Sequence, residues 1–253
     1  MMERERRDGD KPTDFGFNRT GIATSPIDTP RMVQAATDAE TRRPGGNDAI
    51  AAVRGTYIEE AEPLGSVPPP TTIKGAGEGL AQMLQGNKPT VLIDKIGERI
   101  AFERTGTRLY SALMAKCTDD ATDGGPTRAD AQQIQQEEMR HLDLVLRRAR
   151  ALGADPTVQT PCADVVGVQA MGVLQVVSDP RTTLSQSLNA ILTAELADEA
   201  GWELLIALAT AAGHKEMAAE FTTALETEGE HVRKVKSWLL AMTSADAKLL
   251  APS

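Results

Sequence analysis

The chain has 253 residues, with 27 Lys and Arg against 36 Asp and Glu and a net charge of -9. That acidic balance, without a basic face, argues against a partner gripped through its phosphates, so no nucleic acid is expected, whereas cations such as ferrous ions suit it. The two cysteines, Cys117 and Cys162, form no CxxC pair, which leaves no thiolate zinc, iron-sulfur or rubredoxin-type centre within the chain. Both are expected as buried or half-buried thiols.

Met1 to Asp10 is densely charged and lacks an apolar run, and no window reaches the roughly eighteen apolar residues of a membrane span. A soluble cytoplasmic protein without membrane contact is the expectation. Residues 1–88 are punctuated by Pro, Gly, Thr and charge, including Gly45-Gly46 and Pro68-Pro69-Pro70, with one short helical candidate near Gly79 to Leu84. Such a segment cannot build its own core. It reads as a largely irregular N-terminal arm, expected to lie on the rest of the chain, on a neighbour in a homo-oligomer, or on a partner.

From Thr90 the pattern becomes sustained helical periodicity, predicting an all-α domain over residues 89–243 and a tail over 244–253. The first helix carries Ile93, Ile96, Ile100, Glu103, Thr107, Tyr110, Met114 and Cys117 on one stripe, at alternating steps of three and four. Glu103 therefore points inward. After the Gly124-Gly125-Pro126 break and a cap at Thr127, the second helix presents Ile134, Glu138, His141 and Val145 and ends near Gly153.

The connection from Gly153 to Thr182 is too long for a tight turn. It can run the length of a bundle and make the second and third helices parallel. A short helix is expected within it, around Val165 to Val177. The third helix opens at a capping-box candidate, Thr183 with Gln186, and its stripe runs Leu184, Leu188, Ile191, Glu195, Asp198, Trp202, Leu205 and Ala209 up to Gly213. The fourth aligns Met217, Phe221, Ala224, Glu228, His231, Val235, Trp238 and Met242.

Each stripe is apolar except at its middle. Carboxylates removed from water need partners, so a polar interruption at one height in four helices implies that the groups meet one another or a metal. There are only three histidines, and two of them follow a glutamate by three residues, in Glu138/His141 and Glu228/His231. A three-residue helical step turns both side chains to one side. Glu103 and Tyr110 recur as Glu195 and Trp202, so two helical hairpins are related by pseudo-symmetry. This is the ligand pattern of a dinuclear site inside a four-helix bundle. Four carboxylates and two neutral imidazoles balance two divalent cations, and some of those glutamates should hold protons until metal arrives. Mixed oxygen and nitrogen donors suit iron, with manganese as the alternative.

On these residues the segment from about 90 to 243 resembles the ferritin-like superfamily of di-iron carboxylate proteins, with bacterioferritin and rubrerythrin as comparisons. The resemblance implies two iron ions held by Glu103, Glu138, His141, Glu195, Glu228 and His231. Glu137-Glu138-Met139-Arg140-His141 is similar to the family's second-helix motif. The resemblance does not cover the arm, and Trp202 stands where some relatives carry Tyr.

Tyr110 can donate to a ligand carboxylate or pass an electron, with simple packing as the equal alternative. Asp198 and Glu199, one turn beyond Glu195, read first as solvated or helix-pairing residues and second as an extra ligand or an orienting group. Met139 occupies the place of the bacterioferritin haem ligand, but haem is not expected. His214 reads as an exposed turn residue. The expected activity is ferroxidase-type or peroxide and dioxygen redox chemistry, that is, a di-iron oxidoreductase. A di-iron oxygenase, an iron-storage shell, and an assembly module with a structural dimetal site are the alternatives.

Overall fold

The computed structural model describes residues 25–38, 47–72, 77 and 89–247. All regular structure among them is helical. They fall in two compact units, one within Pro12–Leu64 and one over Gly65–Ser253.

The first unit contains α1 (Asp28–Asp38) and α2 (Asn47–Glu60), neither of which buries a residue. Ser25 starts α1 by accepting from the Asp28 N–H at 3.1 Å, and Asp28 and Asp48 place negative charge at the two helix N-termini. The arm expected to be largely irregular therefore holds two helices. Both are short, 11 and 14 residues. Their large apolar residues, Met32, Val33, Ile50, Val53, Tyr57 and Ile58, are exposed, in keeping with a segment that builds no core of its own. The helix expected near Gly79 to Leu84 lies outside the described residues, apart from Gly77 just before it.

The second unit comprises α3 (Pro89–Met114), α4 (Arg128–Ala151), α5 (Pro161–Ser178), α6 (Leu184–Ala211) and α7 (Lys215–Asp246). Local chemistry sets the boundaries. Thr127 and Thr183 both form capping boxes, with Asp130 and Gln186 respectively, and each satisfies backbone N–H groups that a first turn leaves open. Thr160 caps α5 with Pro161 directly after it, so this helix begins earlier than the apolar run starting at Val165 implies. α4 and α6 both end on a left-handed glycine, Gly153 (φ 77°) and Gly213 (φ 81°). There Ala154 N donates to Ala149 O at 3.0 Å, and His214 N donates to Ala209 O at 2.9 Å. α7 continues past the expected boundary at 243. His214 sits half-buried at its start, a correction to the exposed position expected.

Two apolar clusters fix the relative directions. One gathers Leu92, Ile96 and Ile100 from the start of α3, Leu144 and Val145 from the end of α4, Trp202 and Leu205 from the end of α6, and Met217 and Phe221 from the start of α7. The other joins Leu109 and Leu113, Ala131 and Ile134, Val177, Leu188 and Ile191, and Val235, from the opposite halves of the same helices and the end of α5. Hence α3 runs antiparallel to α4, α6 antiparallel to α7, and α4 parallel to α6, as the long connection predicts. Each fully buried large apolar side chain contributes about 1.5–3 kcal/mol, which supports a layer that is itself costly to bury.

α5 lies along α3 and also touches α6. Thr160 Oγ1 donates to Asp94 O at 3.3 Å near the start of α3, and Lys116 Nζ donates to Asp179 O at 2.8 Å beyond its end. Its outer residues Val165, Val168, Met171 and Val176 are exposed. By length and composition alone it is the one described helix apolar enough to cross a membrane.

Candidate metal centre

Between the two apolar clusters lies a layer built of Glu103 on α3, Glu138 and His141 on α4, Glu195 and Asp198 on α6, and Glu228 and His231 on α7. None of these residues is more than 7 % exposed. The six side chains expected to converge do so. Donor atoms of Glu138, Glu195, Glu228 and His231 lie within 4.8 Å of one another, as do those of Glu103, His141 and Glu228, and those of Glu103, Glu138, Asp198 and Glu228. Glu228 belongs to all three groups, so the halves share a carboxylate rather than standing apart.

The histidines reach across the pseudo-symmetry. His141 Nδ1 is 2.5 Å from Glu228 Oε1 and 3.9 Å from Glu103 Oε2. His231 Nδ1 is 3.1 Å from Glu228 Oε2, 3.4 Å from Glu138 Oε1 and 3.7 Å from Glu195 Oε2. Its other nitrogen, Nε2, lies 2.9 Å from Glu137 Oε2. Burial raises Glu137, but the bond from His231 prevails and lowers it, so the ionised carboxylate can only accept and Nε2 carries the proton. That fixes which nitrogen faces the cluster.

Burial dominates the acid strengths. It pushes the Glu103 carboxyl up to about 7 and Glu195 up to about 8. It drives Glu138 and Asp198 above the usual carboxylate range, with help from neighbouring carboxylates and, at Asp198, against the opposing charge of Arg99. For Glu228 burial is overcome by the two histidines, which hold it down at about 2. For His231 burial is overcome by Glu228, which raises the imidazole to about 9. Protons in this layer therefore sit where cations are wanted.

Five atoms of the six expected ligand residues remain buried without a hydrogen-bond partner: Glu103 Oε2, Glu138 Oε2, His141 Nδ1, Glu195 Oε2 and Glu228 Oε1. His141 Nδ1 is close to Glu228 but not aligned as a hydrogen bond. Orphaned buried polar atoms are rare in folded proteins, and these five, with Trp202 Nε1 as a sixth, belong to one layer of the interior. A donor set of carboxylates and imidazoles without sulfur fits iron or manganese.

Comparison with family models, curated proteins and solved structures finds no match to this chain.

Tyr110, fully buried, donates its hydroxyl to Glu195 Oε1, so of the two readings of this residue the structure has the hydrogen bond. Of the readings of Asp198 the structure has the helix-pairing one, since it is buried rather than solvated and is ion-paired with Arg99 on α3, while Glu199 is half-buried. Met139 is exposed on the outer face of α4. Cys117 is buried and Cys162 half-buried, as expected, and burial pushes both thiols up to about 11.

The sequence reading missed four residues that shape the centre. Arg99, one helical turn before Glu103, is buried beside it, and Glu137 orients His231. Gly106 lets Glu138 approach α3, since a Cβ there would overlap Glu138 Oε2. Gly201 does the same for Arg99 on α6. The available signal was a glycine inside each of two long helices, where it costs about 1 kcal/mol relative to Ala and so calls for a packing reason.

Proposed function

We propose that α3, α4, α6 and α7 form a ferritin-like four-helix bundle whose central layer holds two divalent metal ions, iron or manganese, and that the protein is an oxidoreductase of ferroxidase or peroxidase type. The observation that carries this reading is the set of five orphaned atoms on buried residues whose donor atoms gather within 4.8 Å of one another in overlapping groups. Glu103 with His141 would hold one ion and Glu195 with His231 and Glu138 the other, with Glu228 common to both donor sets. When bound, the metal pair supplies one-electron steps toward dioxygen or peroxide and neutralises the carboxylates.

The chain's own residues do the rest. Glu137 holds the His231 proton on Nε2 and leaves Nδ1 for coordination. Tyr110 fixes one oxygen of Glu195, which leaves Oε2 turned to the volume. The Trp202 ring meets His141 edge-on at 5.5 Å and Phe221 at 5.3 Å, closing one end of the layer to water. Protons held near neutral pH at Glu103, Glu138 and Glu195 and on the His231 imidazolium are the ones that loading must release.

The experiment is anaerobic titration with ferrous ion followed by exposure to dioxygen or to peroxide in separate runs. Two ions per chain, proton release on loading, and faster ferrous oxidation than in buffer support the proposal. Failure to bind iron or manganese would sink it. The ratio of peroxide turnover to ferrous turnover assigns the activity within the class.

A further inference from the structure

The layer holds a buried cation of its own. Arg99 is 2 % exposed, and its Nη1 binds Asp198 Oδ1 while lying 3.5 Å from both Asp198 O and Glu103 Oε1. Its guanidinium stands 4.6 Å from the Phe102 ring centroid and 5.7 Å from that of Trp202. Planar stacking and a fork of donors suit arginine rather than lysine here. Gly201 leaves the space, because a Cβ at that position would overlap Arg99 Nη2.

Asp198 is also a potential ligand. One of its oxygens lies within 4.8 Å of donor atoms of Glu103, Glu138 and Glu228, a set able to hold an ion without help from either histidine. Charge then decides between ligand and bystander. The buried carboxylates are Glu103, Glu138, Glu195, Asp198 and Glu228. With neutral imidazoles, Arg99 and two divalent ions bring that set to zero, whereas a third divalent ion beside Arg99 would leave a buried excess of positive charge.

We infer that Arg99 is a positioning residue that acts through Asp198: it withholds this carboxylate from coordination and so limits the centre to two ions. The inference rests on the dimetal reading above and deepens it. Arg99 occupies the place a third cation would take.

The test is Mn2+ titration of the full chain, with free ion followed by electron paramagnetic resonance and bound ion counted by elemental mass spectrometry. The proteins are wild type, Arg99→Met and the double variant Arg99→Met with Asp198→Asn. Wild type is expected to bind two ions and Arg99→Met three, because the freed Asp198 completes the set with Glu103, Glu138 and Glu228 and a third ion then leaves an excess of one positive charge rather than the two it would leave beside Arg99. The double variant, which removes both charges of the pair, returns to two ions with affinity within about threefold of wild type. Should Arg99→Met not fold, the double variant decides alone: two ions support the inference, and loss of an ion shows Asp198 to be a ligand and overturns it. Two ions in both wild type and Arg99→Met overturn the role of Arg99 and leave the dimetal centre standing. No ion in wild type overturns the underlying reading instead.

Discussion

Gly106→Ala separates the stability of the fold from the integrity of the centre. A Cβ at position 106 would stand 3.0 Å from Glu138 Cδ and would overlap Oε2 outright. Carbon atoms pack best at about 3.5–4.0 Å, so the carboxyl end must retreat by roughly 0.5–1 Å. The end of a flexible side chain can do so cheaply, and replacing glycine inside α3 by alanine favours the helix by up to about 1 kcal/mol. Metal–ligand distances tolerate only about 0.2 Å, and disturbing groups around a metal costs about 10- to 100-fold in affinity. The variant should therefore unfold at a temperature equal to or above that of wild type in chelator, while binding Mn2+ at least tenfold more weakly, about 1.4 kcal/mol. Differential scanning calorimetry and metal titration on one preparation check both halves. A folded Gly106→Ala protein with affinity within twofold of wild type would refute Glu138 as a ligand placed by that glycine.

Glu228→Gln removes charge from the one residue common to all three donor groups, so bound metal should fall from two ions to less than one per chain by elemental analysis. Tyr110→Phe leaves Glu195 Oε1 unsatisfied, which costs about 1–3 kcal/mol; two ions should still bind, but with reduced affinity in a calorimetric titration. In chelator, thermal stability should fall as pH rises from 5.5 to 8.5. Glu103 and Glu195, raised to about 7 and 8, contribute stability present below the ordinary carboxylate range and lost through those values, and His231, raised to about 9, loses its contribution above the ordinary imidazole range. Glu228, held at about 2, contributes a constant amount over this window. Saturating Mn2+ should shrink the pH dependence, and a melting temperature that rises with pH in chelator would contradict the assignment.

Periodicity made the interior stripes of α4, α6 and α7 legible because each of these helices buries one narrow face. The inward direction of Glu138, His141, Glu195, Glu228 and His231 follows from that, and the position of Glu103 from the Ile96, Ile100 and Glu103 stripe of α3. α3 was read less completely. It packs against α5 as well as α4, so its buried set widens to include Leu92, Arg99, Gly106, Leu109 and Leu113, of which Arg99, Gly106 and Leu113 keep steps of three and four with Ile96, Glu103 and Tyr110. Arg99 looks like an ordinary exposed helix residue in one dimension, and only its pairing with Asp198 across to α6 shows otherwise. Asp198 itself lay on the correct stripe, but an isolated aspartate has more chance of being solvated than buried until its cation is known. The helices α1 and α2 are short and bury no residue, so they do not stand out as parts of a core.

The most direct test is anomalous diffraction from crystals of the full chain grown with Mn2+. Two anomalous peaks, both ringed by Glu103, Glu138, His141, Glu195, Glu228 and His231, with Asp198 still bound to Arg99, are the predicted result. A central layer without a peak, with manganese found only on surface acids, would contradict a metal centre in this protein.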